Sequence, residues 1–310
     1  MKTAICLMGP TASGKTDVAI SLCKKFPLDI ISVDSALIYR GMDVGTAKPD
    51  TATLREAPHR LIDIRDPEER YSAGDFVRDA RTEMRQIFAQ GRVPLLVGGT
   101  MMYFRALTSG IAELPSANVE IRATIDAEAR KLGWPAMHER LLEVDPLAAN
   151  RIKPHDRQRI QRALEVFLVS GKPLSEWQKS TDISASDDVH FHKIALQPAS
   201  RKVLHERIER RLKVMLNNGF LEEVKALYQR AGLTSEHPSM RSVGYRQLWQ
   251  HLGGALSLQE AGDRALYATR QLAKRQITWL RSEIDLNTYD PLEANTIDAI
   301  SASLIEFFDA

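Results

Sequence analysis

Residues 9–16 read GPTASGKT, between an apolar run at residues 3–8, TAICLM, and a segment from residue 14 to residue 25 with helical apolar spacing. Glycine, four residues, glycine, lysine and then serine or threonine is the pattern of a phosphate-binding loop that joins a strand to a helix. Its glycines let backbone N–H groups converge on phosphate oxygens, and the helix N-terminus adds a favourable dipole. The pattern therefore predicts a P-loop core.

Each residue of this loop has an expected part in holding phosphate. Lys15 supplies a mobile positive charge, and Thr16 supplies a hydroxyl for a magnesium ion. The same motif is typical of ATP-binding and other nucleotide-binding proteins. The predicted diphosphate- or nucleotide-binding residues are Gly9, Pro10, Thr11, Ala12, Ser13, Gly14, Lys15 and Thr16.

Further strands and helices alternate along the chain. Buried strands are predicted at DIISVDS, LIDI, VPLLVGG and HFHKIALQP, which start at residues 29, 61, 93 and 190, and a helix is predicted over about 72–90. Apolar strands that alternate with helices favour a parallel sheet covered on both faces. The fold class is therefore α/β, a P-loop NTPase-like core with a parallel sheet flanked by helices, plus an all-helical insertion domain at 118–189 between core segments 1–117 and 190–310.

Composition narrows the class of protein. The chain has 310 residues, 44% of them apolar and 26% charged, which is typical of a soluble globular protein and unlike a membrane protein. Residues 201–282 hold 15 Lys plus Arg against 7 Asp plus Glu, which points weakly to a polyanionic partner. Cys6 and Cys23 suggest neither a disulfide framework nor a zinc site. The N-terminus lacks the pattern of a signal peptide, so a cytoplasmic location is expected.

A phosphate loop alone does not name a reaction. The strand LLVGGT ends in glycines and Thr100, where a nucleotide hydrolase usually places a magnesium-binding acid. DIISVDS does carry Asp34 at its end, so a kinase that acts on a small metabolite remains open.

Five further stretches extend the pattern over most of the chain. They are DSALIYRGMDVGTAKP at 34–49, GGTMMYFRAL at 98–107, DRQRIQRALEV at 156–166, RSVGYRQLW at 241–249 and ATRQLAKRQITWLR at 268–281. With GPTASGKT, they make the chain resemble the tRNA dimethylallyltransferase family, also called tRNA isopentenyltransferases. No cysteine follows Cys23, so it resembles the shorter bacterial type, which has no C-terminal zinc finger.

The resemblance implies a reaction and its partners. A dimethylallyl group would pass from dimethylallyl diphosphate to the exocyclic N6 amine of the adenosine 3′ to a tRNA anticodon, tRNA position 37, and pyrophosphate would leave. Magnesium, a monomeric state and no membrane association are expected. Asp34 would take the proton of the attacking amine, and Thr100 and Lys15 would complete the catalytic set.

The resemblance also implies which residues contact tRNA. Their arginines and lysines would grip phosphates, while Gln158, Gln161 and Gln276 would read base edges. Trp249 and Trp279 lie at core-like positions and are expected to pack rather than to stack on bases. The expected tRNA contacts are Asp34, Ser35, Ala36, Leu37, Ile38, Thr100, Arg122, Gln158, Arg159, Ile160, Gln161, Arg162, Arg241, Ser242, Val243, Gly244, Tyr245, Arg246, Lys274, Arg275, Gln276, Ile277, Thr278, Trp279, Leu280 and Arg281.

Three other functions stay open at this point. A phosphotransferase would hold ATP in the same loop and use Asp34 to activate a hydroxyl. An enzyme that prenylates free adenine nucleotides would need no broad basic surface, which the basic C-terminal helices argue against. A non-enzymatic RNA-binding regulator would use the loop as a sensor and would not depend on Asp34. Taken singly, the arginines of an amphipathic helix usually form a solvated face.

Overall fold

The chain divides into two compact units. A computed structural model describes residues 2–110, 112, 114–179 and 189–309. The first unit comprises Met1–Thr108 and Asp188–Ala310, and the second comprises Ser109–Asp187.

A six-stranded parallel sheet forms the centre of the first unit, in the order β3-β2-β4-β1-β5-β6. β1 is central, because it pairs in parallel with β4 on one side and with β5 on the other. The carboxyl ends of parallel strands lie at one edge of a sheet, where α/β proteins bind ligands. The strands are β1 (Lys2–Met8), β2 (Leu28–Val33), β3 (His59–Arg60), β4 (Val93–Gly98), β5 (Val189–Leu196) and β6 (Leu286–Tyr289).

Helices cover the sheet and make up the second unit. In the first unit they are α1 (Lys15–Lys25), α2 (Thr51–Glu56), α3 (Ala73–Ala89), α4 (Met101–Ser109), α10 (Arg201–Asn217), α11 (Phe220–Tyr228), α12 (Tyr245–Leu252), α13 (Leu258–Leu280) and α14 (Thr296–Asp309). In the second unit they are α5 (Val119–Leu132), α6 (Trp134–Val144), α7 (Pro146–Ala149), α8 (Arg157–Ser170) and α9 (Leu174–Lys179). No helix within the described ranges is long and apolar enough to cross a membrane.

Both faces of the sheet carry a hydrophobic core, which confirms the predicted covered parallel sheet. On one face, α3 and α4 pack Phe76 and Phe104 against Cys6. On the other face, α1 and α14 pack Leu22 and Leu304. The helix predicted over 72–90 is confirmed as α3, since Ser72 forms a capping box with Asp75.

A third core lies outside the sheet and fixes the segment that follows β2. Ile38, Tyr39 and Met42 are buried against α11, α12 and α13. The segment 38–44 therefore stays next to the sheet edge without forming a helix or a strand.

One strand prediction is wrong, and one strand was not predicted. LIDI is not a strand, because Leu61 and Asp63 adopt positive φ angles of 62° and 55°, and the strand β3 lies two residues earlier. β6 was missed because its sequence, LNTY, lacks an apolar run and forms the half-exposed edge of the sheet.

The second unit has a core of its own. α5, α6, α8 and α9 bury Ile125, Leu141, Ile160 and Leu174. Within its described residues this unit is helical, with no strand, as the periodicity of residues 118–189 predicts; residues 180–188 of that range lie outside the described residues.

Candidate active site

The phosphate loop joins β1 to α1 through a backbone with left-handed residues. Ala12 has a φ of 63°, and Gly14, the residue that precedes α1, has a φ of 88°. The hydroxyl of Ser13 is buried and has no hydrogen-bond partner among the described residues. Buried polar groups are normally paired, so this hydroxyl is one unmet donor inside the loop.

The side chain of Lys15 folds back onto the phosphate loop. Its Nζ donates hydrogen bonds to the carbonyl oxygens of Gly9, at 3.0 Å, and Pro10, at 2.8 Å. Burial lowers the pKa of Lys15 to about 7, the nearby cation Arg211 adds to this shift, and Asp34 opposes it. The ammonium therefore loses its proton far more easily than a lysine in water, unless an anion binds beside it.

Asp34 lies directly after β2 and is held by the next turn of chain. Its Oδ1 accepts hydrogen bonds from the N–H groups of Ala36, at 2.8 Å, and Leu37, at 3.3 Å. Thr100 lies beside it, after β4, and its Oγ1 accepts the N–H of Ser35 at 3.0 Å. Two of the three predicted catalytic residues, Asp34 and Thr100, are thus brought together at the ends of neighbouring strands.

Arg211 on α10 is a cation of this site that no sequence motif singles out. Its Nη2 donates to the carbonyl oxygen of Thr46 at 3.0 Å. Burial lowers its pKa, while Asp34 raises it, so the guanidinium lies within electrostatic range of that carboxylate. The site combines two cations, Lys15 and Arg211, with one carboxylate.

The segment that carries Thr46 is itself firmly held. The carboxylate of Glu223, on α11, accepts the N–H groups of Asp43, Val44 and Gly45 at 2.7–3.0 Å, and also the hydroxyl of Tyr245. Burial and the Glu223 carboxylate both raise the pKa of that tyrosine, which keeps it protonated as a donor. The carboxylate therefore fixes the loop that positions Arg211.

Two side chains from distant helices hold the phosphate loop from outside. Arg207, one helical turn before Arg211 on α10, donates from Nε to the carbonyl oxygen of Ala12 at 2.8 Å. Gln276, on α13, accepts the N–H of Thr11 at 2.9 Å. The spacing of four residues between the two arginines puts them on one helix face, which was the only sequence signal for their shared role.

Comparison with known proteins identifies the family of this chain. Residues 37–283 match the family model of IPP transferases. A solved tRNA isopentenylpyrophosphate transferase from Bacillus halodurans is 33% identical over 98% of this chain and 96% of its own, with a TM-score of 0.72. The chain belongs to the IPP transferase family.

A second bacterial structure agrees with this assignment, and a eukaryotic structure shares the fold. A tRNA delta(2)-isopentenylpyrophosphate transferase from Staphylococcus epidermidis is 30% identical over 99% of this chain and all of its own, with a TM-score of 0.70. A eukaryotic dimethylallyltransferase acting on tRNA shares the fold, with a TM-score of 0.82 at 24% identity, and the match covers 98% of this chain and 78% of that one. The resemblance found in the sequence is confirmed.

In the first unit of this IPP transferase, the expected tRNA contacts are divided between surface and core. Ser35, Arg241, Arg246, Lys274, Arg275, Thr278 and Arg281 are exposed, and Asp34, Ala36, Leu37, Thr100, Ser242, Val243 and Trp279 are half-buried. Ile38, Gly244, Tyr245, Gln276, Ile277 and Leu280 are buried. The buried side chains pack or bond within the protein, so the prediction of tRNA contact depends on the exposed ones.

The packing expected of the two tryptophans can be checked in the same unit. Trp249 packs against the core around Ile38, and Trp279 packs against the core around Phe104. The guanidinium of Arg105 lies 5.7 Å from the centre of the Trp279 ring.

In the second unit, two predicted contact residues are already engaged in a buried ion pair. Glu165 is fully buried, and its carboxylate accepts hydrogen bonds from Arg122, at 2.8 and 3.0 Å, and from Arg162, at 2.7 Å. Burial disfavours its charge, but these two arginines and the Asn118 N–H outweigh burial and lower the pKa of Glu165. Gln158 and Arg159 are exposed, Gln161 donates to Asp126, and Ile160 is buried in the core.

Proposed function

We propose that this IPP transferase moves a dimethylallyl group from dimethylallyl diphosphate to the N6 amine of the adenosine 3′ to a tRNA anticodon, position 37, and releases pyrophosphate. One observation carries the proposal. A phosphate loop after β1 with two half-buried cations lies at the same sheet edge as a carboxylate, Asp34, which follows β2. This arrangement can stabilise an anionic leaving group and accept a proton in the same step.

The donor side follows from the bond that breaks. The allylic carbon–oxygen bond of the donor breaks with its electron pair going to the diphosphate, so negative charge grows on that leaving group. Lys15, Arg211 and the N–H groups at the start of α1 stabilise that charge. The exposed hydroxyl of Thr16 is a hard oxygen donor and fits Mg²⁺, which when bound would add positive charge next to the diphosphate.

The acceptor side needs a base. The N6 amine of adenine is conjugated with its ring and is a poor nucleophile, so loss of its proton during attack lowers the barrier. The N–H groups of Ala36 and Leu37 fix Oδ1 of Asp34 and orient the carboxylate. We propose that Asp34 takes the proton and that Thr100, next to it, orients the acceptor or bonds the diphosphate.

The tRNA acceptor is supported by the surface of the chain and by its relatives. The exposed cations Arg241, Arg246, Lys274, Arg275 and Arg281 provide sites for RNA phosphates. Gln158 and Arg159 offer further polar groups on the helical insertion, predicted over residues 118–189, which we propose also contacts tRNA. The bacterial relatives named above are tRNA isopentenylpyrophosphate transferases.

The decisive experiment joins donor, metal and acceptor. The purified protein is incubated with magnesium, labelled dimethylallyl diphosphate and unmodified tRNA, and the digested nucleosides are analysed by mass. We expect an adenosine that gains one dimethylallyl group only when tRNA is present. Label found on free adenine nucleotides, or ATP consumed with a small acceptor and no label in RNA, would instead identify a nucleotide prenyltransferase or a kinase.

A further inference from the structure

The side-chain amide of Gln276 bridges two strand ends of the candidate site. Its Oε1 accepts the N–H of Thr11, in the phosphate loop after β1, at 2.9 Å. Its Nε2 donates to the carbonyl oxygen of Gly99, after β4, at 2.8 Å. Both ends of one buried amide are therefore used for backbone contacts within the protein.

The amide lies directly against the backbone of Gly99. A Cβ on residue 99 would lie 2.5 Å from Nε2 of Gln276, so a larger residue there would displace the amide. On α13, Ala273 and Ile277 pack against Leu204 and Ile208 of α10, which fixes the helix. Gln276 thus faces the sheet, whereas its neighbours Lys274 and Arg275 are exposed.

The two contacts reach opposite sides of the proposed reaction. Thr11 belongs to the loop that would hold the diphosphate. Gly99 immediately precedes Thr100, whose Oγ1 bonds the N–H of Ser35, next to the base Asp34. A single side chain therefore connects the predicted diphosphate-binding loop to the backbone next to Thr100.

We infer that Gln276 is a positioning residue that sets the distance between the diphosphate loop and the Asp34–Thr100 pair, rather than a reader of RNA base edges. This inference rests on the proposed function, because it assigns a role within that transfer. Reacting groups must be held in a narrow geometry, and a misplacement of about 1 Å can cost about 10²-fold in rate. The amide supplies that constraint from a helix remote in sequence.

Two variants separate the two bonds of the amide. Gln276→Met keeps the length of the side chain and removes both hydrogen bonds. Gln276→Glu keeps the acceptor for Thr11 but directs a carboxylate oxygen at the carbonyl oxygen of Gly99, unless the carboxyl is protonated. Gln259→Met, on the exposed first turn of α13, makes the same change away from the site and is the matched control.

The expected result is a loss in turnover without a loss in tRNA affinity. For Gln276→Met, we expect kcat at saturating tRNA to fall about 10²-fold while the Kd for tRNA stays within about twofold. Gln276→Glu should regain activity relative to the unchanged protein as the pH falls, because the protonated carboxyl can again donate to Gly99. A purely structural role for the glutamine would not produce that pH dependence.

Two outcomes of the tRNA assays would overturn the inference. The first is turnover of Gln276→Met equal to that of the control, and the second is a tRNA Kd raised more than about tenfold with normal turnover at saturation. If the unchanged protein fails to prenylate tRNA, the proposed function is rejected but the bridge itself is not. Calorimetry with inorganic pyrophosphate then decides, since equal affinity in Gln276→Met and Gln259→Met would show that the amide does not shape the loop.

Discussion

Asp34 owes its proposed role to its position rather than to an unusual environment. The same residue type at a strand end could equally cap a helix, and the closeness of Asp34 to Lys15, Arg211 and Thr100 supports the role that the family resemblance implies. The sequence places Asp34 at a strand end, and the family resemblance implies its catalytic role with Thr100; the structure adds that β2 and β4 are adjacent parallel strands. The sequence could not predict Arg211, which comes from α10, far along the chain.

Replacement of Asp34 by asparagine tests the base directly. Asn can still accept the N–H groups of Ala36 and Leu37, so the local turn should persist while the proton acceptor is lost. We expect turnover to fall about 10²–10⁴-fold with little change in tRNA affinity, measured by single-turnover kinetics and filter binding. Asp298→Asn, at a highly exposed carboxylate, is the control. Equal losses in turnover and tRNA binding would reject the assignment.

The lowered pKa of Lys15 predicts that anion binding depends on pH. Its pKa of about 7 lies below that of free lysine, so its positive charge is present below pH 7 and is lost as the pH rises through that value. Bound diphosphate favours the charged form, so binding above pH 7 should take up a proton. The ratio of pyrophosphate affinities between the unchanged protein and Lys15→Met should therefore decrease above pH 7. Calorimetry from pH 6 to pH 9 measures this ratio, and a constant ratio would contradict the prediction.

At the level of elements, the segment after β2 shows how loops without regular structure become rigid. Residues 38–48 contain two glycines and no apolar periodicity, so the sequence indicates no regular structure there and offers only the resemblance to the family. In the structure, Lys48 donates to the carbonyl oxygen of Tyr39 and forms ion pairs with Asp43 and Asp63. Glu223 then adds the contacts from α11.

Loss of the Glu223 carboxylate should loosen this segment. Glu223→Ala leaves three N–H groups and the Tyr245 hydroxyl without their acceptor, and we expect the free energy of unfolding to fall by about 2–3 kcal/mol. Pyrophosphate binding should also weaken, because Arg211 is positioned by Thr46 of the same segment. Urea denaturation and calorimetry measure both effects. Glu222→Ala, its exposed neighbour, should change neither, and equal stability of the two variants would contradict the prediction.

The elements divide clearly into those that sequence patterns predict and those they do not. Local apolar runs or helix caps predict six elements, and the structure confirms them: β1, α1, β2, α3, β4 and β5. LIDI has an apolar pattern but is not a strand, because the backbone turns at Leu61 and Asp63, where φ is positive. The chain after these turns forms a bridge between Tyr39 and Arg65. The hydrogen bonds of Arg207 and Gln276 to the phosphate loop depend on how α10 and α13 pack, which no local sequence pattern predicts.

At the scale of the whole molecule, each of the two units has its own core and its own electrostatic arrangement. Glu165 shows this for the second unit, because both arginines that pair with it lie within Ser109–Asp187. The family resemblance implies tRNA contacts for both arginines, because charge and spacing do not reveal the buried carboxylate between them.

Glu165→Gln should destabilise the second unit alone. It leaves two partly buried guanidinium groups without their counter-charge, at a cost of about 3 kcal/mol. Hydrogen exchange should increase within residues 109–187 and not around the sheet. Glu128→Gln breaks a more exposed ion pair with Arg140 and should have little effect. Similar exchange in both variants would contradict the prediction.

The lowered pKa of Glu165 gives this prediction a pH window. Its stabilisation is present above the ordinary glutamate pKa and is lost as the pH falls through the lower value in the folded protein. Acid should therefore loosen the second unit of the unchanged protein more steeply than that of Glu165→Gln.

The bond between Gln276 and Thr11 has a consequence for synthesis on the ribosome. The phosphate loop emerges among the first residues, yet β5 and the helices that hold the loop are translated only after the insertion, and Gln276 follows Thr11 by 265 residues. At about 5–20 residues per second, that delay is roughly 13–53 s. For the part of this interval before β5 (Val189–Leu196) is translated, the edge of β1 that β5 will cover is also unpaired, so a nascent chain should be most prone to misassociation before β5 has left the exit tunnel.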